Sequence, residues 1–181
     1  MKPYIALLRG INVSGQKKIR MTDLKAHLDE LGWEGIHTYI QSGNIVFRST
    51  DGNPGQLAQK IKQKLQDKYG FEVPTLVLDP RELMHIIHNN PFTRDPGTAE
   101  DRLYVTFLFN LPRADLARKL QELKRHNEEF IHDEKIIFLY YPEGYGRAVM
   151  NNNAFEKALQ VEATTRNWKT INKLYEMTYN R

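Results

Sequence analysis

The chain has 181 residues, of which 40% are hydrophobic and 27% charged, a composition typical of a globular protein and not of a disordered or membrane-embedded one. It contains no cysteine, which excludes disulfides, thiolate nucleophiles, iron–sulfur clusters and cysteine-ligated zinc. The net charge of +4 arises in one short segment, where a single anion, Asp23, accompanies the cations Arg9, Lys17, Lys18, Arg20 and Lys25.

The N-terminal sequence "MKPYIALLRG" has only a short apolar run, unlike a secretory signal peptide. No stretch approaches the roughly 20 apolar residues that a membrane-spanning helix needs. We therefore expect a cytoplasmic protein without a membrane partner. We also expect a monomer or a weak homodimer.

Residues 1–79 show the order strand, helix, strand, strand, helix, strand. Residues 4–8 are an apolar run typical of a buried strand, and apolar side chains recur at helical spacing from residue 21 to residue 31. Residues 36–48 indicate two strands joined by a tight turn at residues 42–44. Asn53 and Pro54 begin a second helix, and residues 71–78 form the last strand. This order is the ferredoxin-like (βαββαβ) arrangement.

Residues 80–101 connect this first subdomain to the rest of the chain through a helix that opens with a capping-box pattern and an exposed loop rich in Pro and Gly. Residues 102–181 then repeat the element order as a degenerate second copy, whose last strand is short or missing near Val161. Four strands are apolar on both faces, which favours packing of the two copies against each other. The predicted fold is therefore α+β, with two ferredoxin-like subdomains packed together.

The segment "GINVSGQKK" lies between the first strand and the first helix, where phosphate-binding loops occur. It is not a Walker A loop, because Gln16 stands at the lysine position. Gly10 and Gly15 would let peptide N–H groups converge on a ligand. Arg9 could donate two hydrogen bonds to a phosphate or carboxylate, and Asn12 adds an amide. Three interpretations stay open: a solvated loop without a ligand, an anion site, and a nucleic-acid contact.

The turn "IQSGN" has a structural explanation, because Gly43 and Asn44 both suit a positive φ. It lacks the flanking glycines of a nucleophile elbow, so Ser42 is not predicted to be a nucleophile. In a ferredoxin-like fold this turn can approach the first loop. Gln41, Ser42 and Asn44 would then lie towards the ligand that the loop binds.

A third polar motif, "TTRNW", covers residues 164–168. Thr164, Thr165 and Asn167 are suitable helix caps, which predicts that a helix begins here. Capping does not explain Arg166, because a cation at the N-terminus of a helix is unfavourable unless an anion or acceptor meets it. A structural hydrogen bond and a ligand contact both stay open for this arginine.

Four segments together resemble the bacterial domain-of-unknown-function family 1697: "YIALLRGINVSGQKKIRM", "LGWEGIHTYIQSGNIVF", "NPF" and "TTRNWKTINKL". The resemblance covers nearly the whole chain and implies two ferredoxin-like subdomains, while it implies no established activity. The chain departs from the family's typical motifs at Ser14, where glycine is usual, and at Lys169, where asparagine is usual. After Arg147 many relatives carry Ser-Lys where this chain has Ala-Val, which makes Arg147 a weaker ligand candidate than the other arginines.

The polar motifs predict a pocket for a small phosphorylated or carboxylated ligand, without a cofactor. No metal site is predicted, because His85 and His88 have no third ligand nearby in the sequence. Two alternatives stay open: a phosphate-ester or acyl-phosphate hydrolase, by fold-level analogy with acylphosphatases, and an RNA- or DNA-binding protein that stacks bases on strand aromatics. The sequence leaves undecided whether any reaction is catalysed. The predicted ligand-binding residues are Arg9, Gly10, Asn12, Gly15, Lys17, Gln41, Ser42, Asn44, Arg166 and Asn167.

Overall fold

A computed structural model of the chain describes residues 1–125 and 127–179. These residues form two compact units: unit 1 comprises residues 1–86 and 173–179, and unit 2 comprises residues 87–172. These bounds depend on which residues lie close together in space and not on sequence order. They therefore differ from the predicted subdomains, residues 1–79 and 102–181. Each unit contains one four-stranded antiparallel sheet, and the fold is of the predicted α+β class.

The elements that begin in unit 1 are β1 Lys2–Leu8, α1 Met21–Asp29, β2 Glu34–Tyr39, β3 Asn44–Ser49, α2 Pro54–Tyr69, β4 Thr75–Leu78 and α3 Pro80–Asn89. The sheet order is β2-β3-β1-β4, which is consistent with the predicted ferredoxin-like arrangement. β4 is shorter than the predicted strand at residues 71–78. It begins directly after Pro74, which has no N–H to donate to a strand ladder.

The elements that begin in unit 2 are β5 Leu103–Leu108, α4 Ala114–Lys119, β6 Glu129–Asp133, β7 Ile136–Tyr140, α5 Asn152–Leu159, β8 Ala163–Asn167 and α6 Trp168–Tyr179. The sheet order, β6-β7-β5-β8, repeats that of unit 1. The prediction that the last strand is short or missing near Val161 is therefore wrong. β8 has five residues and pairs along β5, with Thr165 opposite Thr106. Threonine favours such a strand because its β-branched side chain packs well on a pleated surface.

Two predicted helix starts are confirmed by their side-chain hydrogen bonds. Oδ1 of Asn53 accepts the N–H groups of Gly55 and Gln56 at 2.9 and 3.2 Å. The carboxylate of Glu82 accepts the N–H of Asp79 at 2.7 Å, as a capping box requires. Local sequence therefore determines where α2 and α3 begin.

The core of unit 1 lies between its sheet and helices α1 and α2. Tyr4, Ala6 and Leu8 of β1 belong to one buried cluster with the apolar stripes of these helices. Ile5 and Leu7, which alternate with them along the strand, are also buried. Both faces of β1 are therefore covered, as its continuous apolar sequence predicts.

Glu30, at the C-terminal end of α1, connects this helix to α2. Its carboxylate lies 2.9 Å from Nζ of Lys68 and 3.2 Å from Nζ of Lys64, and hydrogen bonds from these two lysines lower the pKa of Glu30 to about 2. Because this pKa lies below the ordinary value of 4.5, the ionised carboxylate stabilises the fold above that pH. This stabilisation is lost as the pH falls towards 2.

We therefore expect Glu30→Gln to lower the urea midpoint of unfolding at neutral pH and to lower it much less near pH 2. The matched control is Glu122→Gln, because Glu122 is exposed and forms no ion pair within the described residues. The control should reproduce the pH profile of the unaltered protein. If Glu30→Gln does the same, the Glu30 ion pairs do not stabilise the fold.

Candidate functional site

The loop between β1 and α1, residues 9–20, is here called the basic loop. The side chain of Asn12 joins its two halves, because Oδ1 accepts the N–H of Ile19 and Nδ2 donates to the carbonyl of Ile19, both at 2.9 Å. The N–H of Asn12 donates to the carbonyl of Lys17 at 3.2 Å. Ile11 and Ile19 are buried. The basic loop is therefore held by its own hydrogen bonds and by two buried side chains.

A two-residue hairpin turn forms the tip of the basic loop. The N–H of Gln16 donates to the carbonyl of Val13 at 2.9 Å. Ser14 and Gly15, the two central residues, have φ of 49° and 76°, which is the pattern of a type I′ turn. Ser14, Gly15 and Gln16 are all exposed, so the peptide groups of this tip face solvent.

The turn between β2 and β3, residues 40–44, lies against the basic loop. Nδ2 of Asn12 donates to the carbonyl of Gln41 at 2.9 Å, and the N–H of Leu8 donates to the carbonyl of Gly43 at 2.8 Å. A Cβ on Gly43 would lie only 2.6 Å from Cβ of Leu8. The turn therefore packs directly on the end of β1, and the expected approach of turn and loop is observed.

Asn44 has a different role from the one that the turn motif suggests. It is the first residue of β3 and is fully buried, and the positive φ angles of the turn belong to Ile40, at 50°, and Gly43, at 76°. The expectation that Asn44 adopts a positive φ is therefore wrong. Nδ2 of Asn44 instead donates to the carbonyl of Tyr39 at 3.1 Å and to Oγ of Ser42 at 2.9 Å. These bonds close the turn from inside.

Left-handed backbone conformation is concentrated in the basic loop and the 40–44 turn. Six non-glycine residues in the described ranges have a positive φ, and four of them lie here: Asn12, Ser14, Lys17 and Ile40. For a β-branched residue such as Ile40 this conformation is a clear outlier. Each such residue costs on the order of 1–2 kcal/mol, and strain of this kind is typical of functional sites.

The cation of Lys17 is held by neutral groups. Its Nζ donates to the carbonyl of Glu72 at 2.6 Å and lies 5.9 Å from the centre of the Phe71 ring. A carbonyl oxygen and an aromatic face position an ammonium group without removing its charge. Lys17 therefore contributes a full positive charge to the surface of the basic loop.

The other three cations of the basic loop are held in different ways. Arg9 is half-buried, and its N–H donates to the carbonyl of Pro74 at 2.9 Å. Arg20 is exposed and lies 3.2 Å from the carboxylate of Asp23. Lys18 is exposed and has no ion pair within residues 1–125 and 127–179. The surface therefore keeps a positive excess that includes Lys18.

Arg166 lies on β8 of unit 2 and is 7% exposed. Its Nη1 donates to Oγ1 of Thr164 at 2.7 Å and to the carbonyl of Thr165 at 2.9 Å. Burial lowers the pKa of Arg166 to about 10, which leaves the guanidinium charged at neutral pH. Asn167 caps α6, because its Oδ1 accepts the N–H of Thr170 at 2.8 Å. Of the three predicted helix caps, only Asn167 caps a helix. Thr164 and Thr165 lie within β8.

The predicted ligand-binding residues thus divide between the two units. Those in the basic loop and the adjoining turn of unit 1 are Arg9, Gly10, Asn12, Gly15, Lys17, Gln41, Ser42 and Asn44, whereas Arg166 and Asn167 lie in unit 2. The expectation that Arg9 and Arg166 share one site stays a prediction.

Residues 1–138 match the model of a family described as Protein of unknown function (DUF1697). The chain belongs to DUF1697. A solved structure, described as that of a conserved bacterial protein from Streptococcus pneumoniae, is 27% identical to this DUF1697 chain, with a TM-score of 0.77, and the match covers 97% of this chain and 98% of that one. No curated protein matches the sequence. The family that the sequence motifs indicated is confirmed over residues 1–138, and the motif at residues 164–174 lies beyond the matched part.

The φ of Ser14, 49°, lies in the region that glycine adopts without a steric penalty, as the glycine expected at this position from the motif would. The hairpin turn therefore forms here in spite of the side chain and not because of it.

Unit 2 contains a partly buried polar network that the motif analysis did not find. Oγ1 of Thr106 lies 2.8 Å from Oγ1 of Thr165, which donates to Oδ1 of Asn152 at 3.0 Å. The N–H of Asn152 donates to the hydroxyl of Tyr145 at 2.7 Å, and burial raises the pKa of that tyrosine. The available signal was Thr106 itself, because a hydroxyl inside an apolar strand needs a buried partner.

Glu128 is a second residue of unit 2 that no motif indicated. It is 9% exposed, and its carboxylate accepts the N–H groups of Val149 and Met150 at 2.5 and 2.9 Å. The hydroxyl of Tyr141 donates to the carbonyl of Met150 at 2.5 Å. Glu128 and Tyr141 therefore fix the segment that leads into α5, which is a structural role.

Among the described residues, no three or more side chains that could bind a metal ion are grouped together, and His85 and His88 belong to no such group. Within the same residues, no helix has both the length and the apolar character to span a bilayer.

Proposed function

We propose that the basic loop and the 40–44 turn bind a small phosphorylated or carboxylated ligand. The observation that carries the proposal is the concentration of left-handed residues at this one place. Four non-glycine residues there adopt a conformation that costs energy, and the hydrogen bonds of Asn12 hold it in place. Backbone strain that is maintained in this way supports a functional role for the surface.

The donors on this surface suit an anion. Gly10, Ser14 and Gly15 are exposed, and their peptide N–H groups form no hydrogen bond within the described part of the chain. Lys17 and Lys18 add two positive charges that no described carboxylate neutralises. Peptide N–H groups next to ammonium groups are the donors that phosphate and carboxylate oxygens prefer.

We assign positioning roles to the two asparagines. Both amide hydrogens of Asn12 and both of Asn44 already donate inside unit 1. Direct ligand contacts are assigned, by charge and by position in the basic loop, to the guanidinium of Arg9, the ammonium of Lys18 and the exposed peptide N–H groups.

We also infer that each unit is a ferredoxin-like subdomain, because the element order and the sheet order repeat in both.

The nucleic-acid alternative required exposed aromatic rings on the strands. None of the eight rings considered for it, which are all described, belongs to an exposed residue: Tyr4, Tyr39, Phe47, Tyr104, Phe107, Phe109, Tyr140 and Tyr141. The hydrolase alternative would be favoured by a turnover that Arg9→Ala or Asn44→Ala abolishes, and of these two residues Asn44 is fully buried. The geometry therefore favours the binding of a small anion over nucleic-acid binding and over hydrolysis.

Titration of inorganic phosphate, acetyl phosphate and citrate, followed by thermal shift, tests the proposal. A ligand at 100 times its Kd should stabilise the protein by about 2.7 kcal/mol. We expect Arg9→Ala to weaken binding by about 10- to 100-fold, because a hydrogen bond to a charged group contributes about 1.5–3 kcal/mol.

The matched control is Arg118→Ala, which removes an exposed arginine of unit 2 whose side chain has no hydrogen bond or ion pair within the described residues. This control should bind as the unaltered protein does. If Arg9→Ala leaves the affinity of every bound anion unchanged, the proposed site is wrong.

A further inference from the structure

We propose that the ligand of this surface is an amphipathic anion, in which a short alkyl chain adjoins the phosphate or carboxylate group. This inference rests on the proposed function and specifies the class of ligand. It is carried by two exposed aliphatic side chains, Val13 and Ile40, at the place where the basic loop meets the 40–44 turn.

Val13 is 59% exposed and Ile40 is 49% exposed. Each directly adjoins one of the two residues that connect loop and turn, because Nδ2 of Asn12 donates to the carbonyl of Gln41. Val13 and Ile40 therefore each lie one residue from the same hydrogen bond between loop and turn. Val13 is also the first residue of the hairpin turn that carries the exposed N–H groups of Ser14 and Gly15. A ligand bound to those N–H groups would have an apolar surface beside it.

Ile40 is an unfavourable residue for its position on two independent grounds. Its φ of 50° suits glycine or asparagine and penalises a β-branched side chain. Its side chain is half in water, where an aliphatic group gains little from burial. The left-handed backbone does not explain why isoleucine stands here. An apolar contact with a ligand does explain it.

Charge supports a free amphipathic anion over an uncharged apolar ligand. Lys17 and Lys18 directly follow the hairpin turn that begins at Val13 and add positive charge to the basic loop. Two aliphatic side chains can cover a short alkyl chain, whereas stable membrane attachment needs a larger apolar area together with a basic patch. We therefore commit to a soluble ligand.

Calorimetric titration with a series of monoalkyl phosphates, from methyl to hexyl, tests this inference, with inorganic phosphate as the reference. We expect the affinity to rise with each added methylene, by up to about fourfold where the methylene is fully buried. In Val13→Ser and in Ile40→Asn, the ratio of the affinities for hexyl and methyl phosphate should fall towards one.

Ile40→Asn should at the same time raise the melting temperature, because asparagine tolerates the left-handed conformation better than isoleucine does. A variant that is more stable and yet discriminates less between the alkyl phosphates cannot have lost discrimination by unfolding. The matched control is Ile131→Asn on β6, a residue that is 41% exposed and lies in unit 2. It should keep the ratio of the unaltered protein.

The possible failures are distinguishable. Binding of inorganic phosphate with no dependence on alkyl length would overturn this inference and leave the proposed function standing. No binding of inorganic phosphate, of any alkyl phosphate or of citrate would overturn both. Sedimentation with vesicles of anionic phospholipid, without a dependence on alkyl length in solution, would assign the surface to a membrane and also overturn the inference.

Discussion

Gly43→Ala is expected to destabilise the protein by about 2–4 kcal/mol, as the sum of overpacking and a strained φ. The new Cβ would lie 2.6 Å from Cβ of Leu8 and 3.0 Å from Cδ1 of Ile11, at a φ of 76°. Leu8 and Ile11 are both fully buried, so neither can move aside without opening the core. The measurement is the free energy of unfolding from urea denaturation.

Two other glycines separate the causes of this loss. Gly32 has a φ of 72° and open space around its Cβ position, so Gly32→Ala should cost only about 1 kcal/mol. Gly52 has neither a left-handed φ nor a close neighbour, and Gly52→Ala should stay within about 0.5 kcal/mol of the unaltered protein. Equal losses at Gly32 and Gly43 would show that close packing of the turn on β1 contributes nothing.

Phe47→Ala should destabilise unit 1 by about 3–5 kcal/mol, because it removes a large side chain from a packed core. Phe47 is fully buried in the centre of the sheet, and its ring is stacked on Trp33 with 4.3 Å between ring centroids. Denaturation followed by tryptophan fluorescence measures the loss. The same variant tests the nucleic-acid alternative, since an aromatic ring that stacks bases at the surface would be removable at little cost in stability.

Phe47→Leu provides the graded comparison, because it keeps most of the apolar volume and should cost less than Phe47→Ala. Ile131→Ala, at an exposed strand position, should change stability by no more than about 0.5 kcal/mol. A loss of that small size for Phe47→Ala would contradict the buried position of the ring.

The elements that could be predicted from the sequence are those determined by local chemistry. Asn53 and Pro54 specify the start of α2 wherever that helix lies, and the apolar run of β1 reports that both of its faces are covered. β8 was missed because Thr164 and Thr165 suit a helix cap and a strand equally well. Pairing with β5, which is distant in sequence, decides between the two.

The same distinction between local chemistry and contacts between distant segments applies to the candidate site. Its glycines and cations are visible in the sequence, because residue type alone gives them flexibility and charge. The roles of Asn12 and Asn44 depend on which carbonyl groups lie near them in space, and no local pattern reveals that their amide hydrogens are already used. The left-handed conformation of Ile40 is likewise imposed by the turn, against the preference of the residue.

The discontinuity of unit 1 has a consequence for the nascent protein. Residues 87–172, the whole of unit 2, are synthesised as one uninterrupted stretch. Unit 1 also needs residues 173–179, which are made after every residue of unit 2. Unit 1 is therefore the first unit to begin synthesis and the last to be completed.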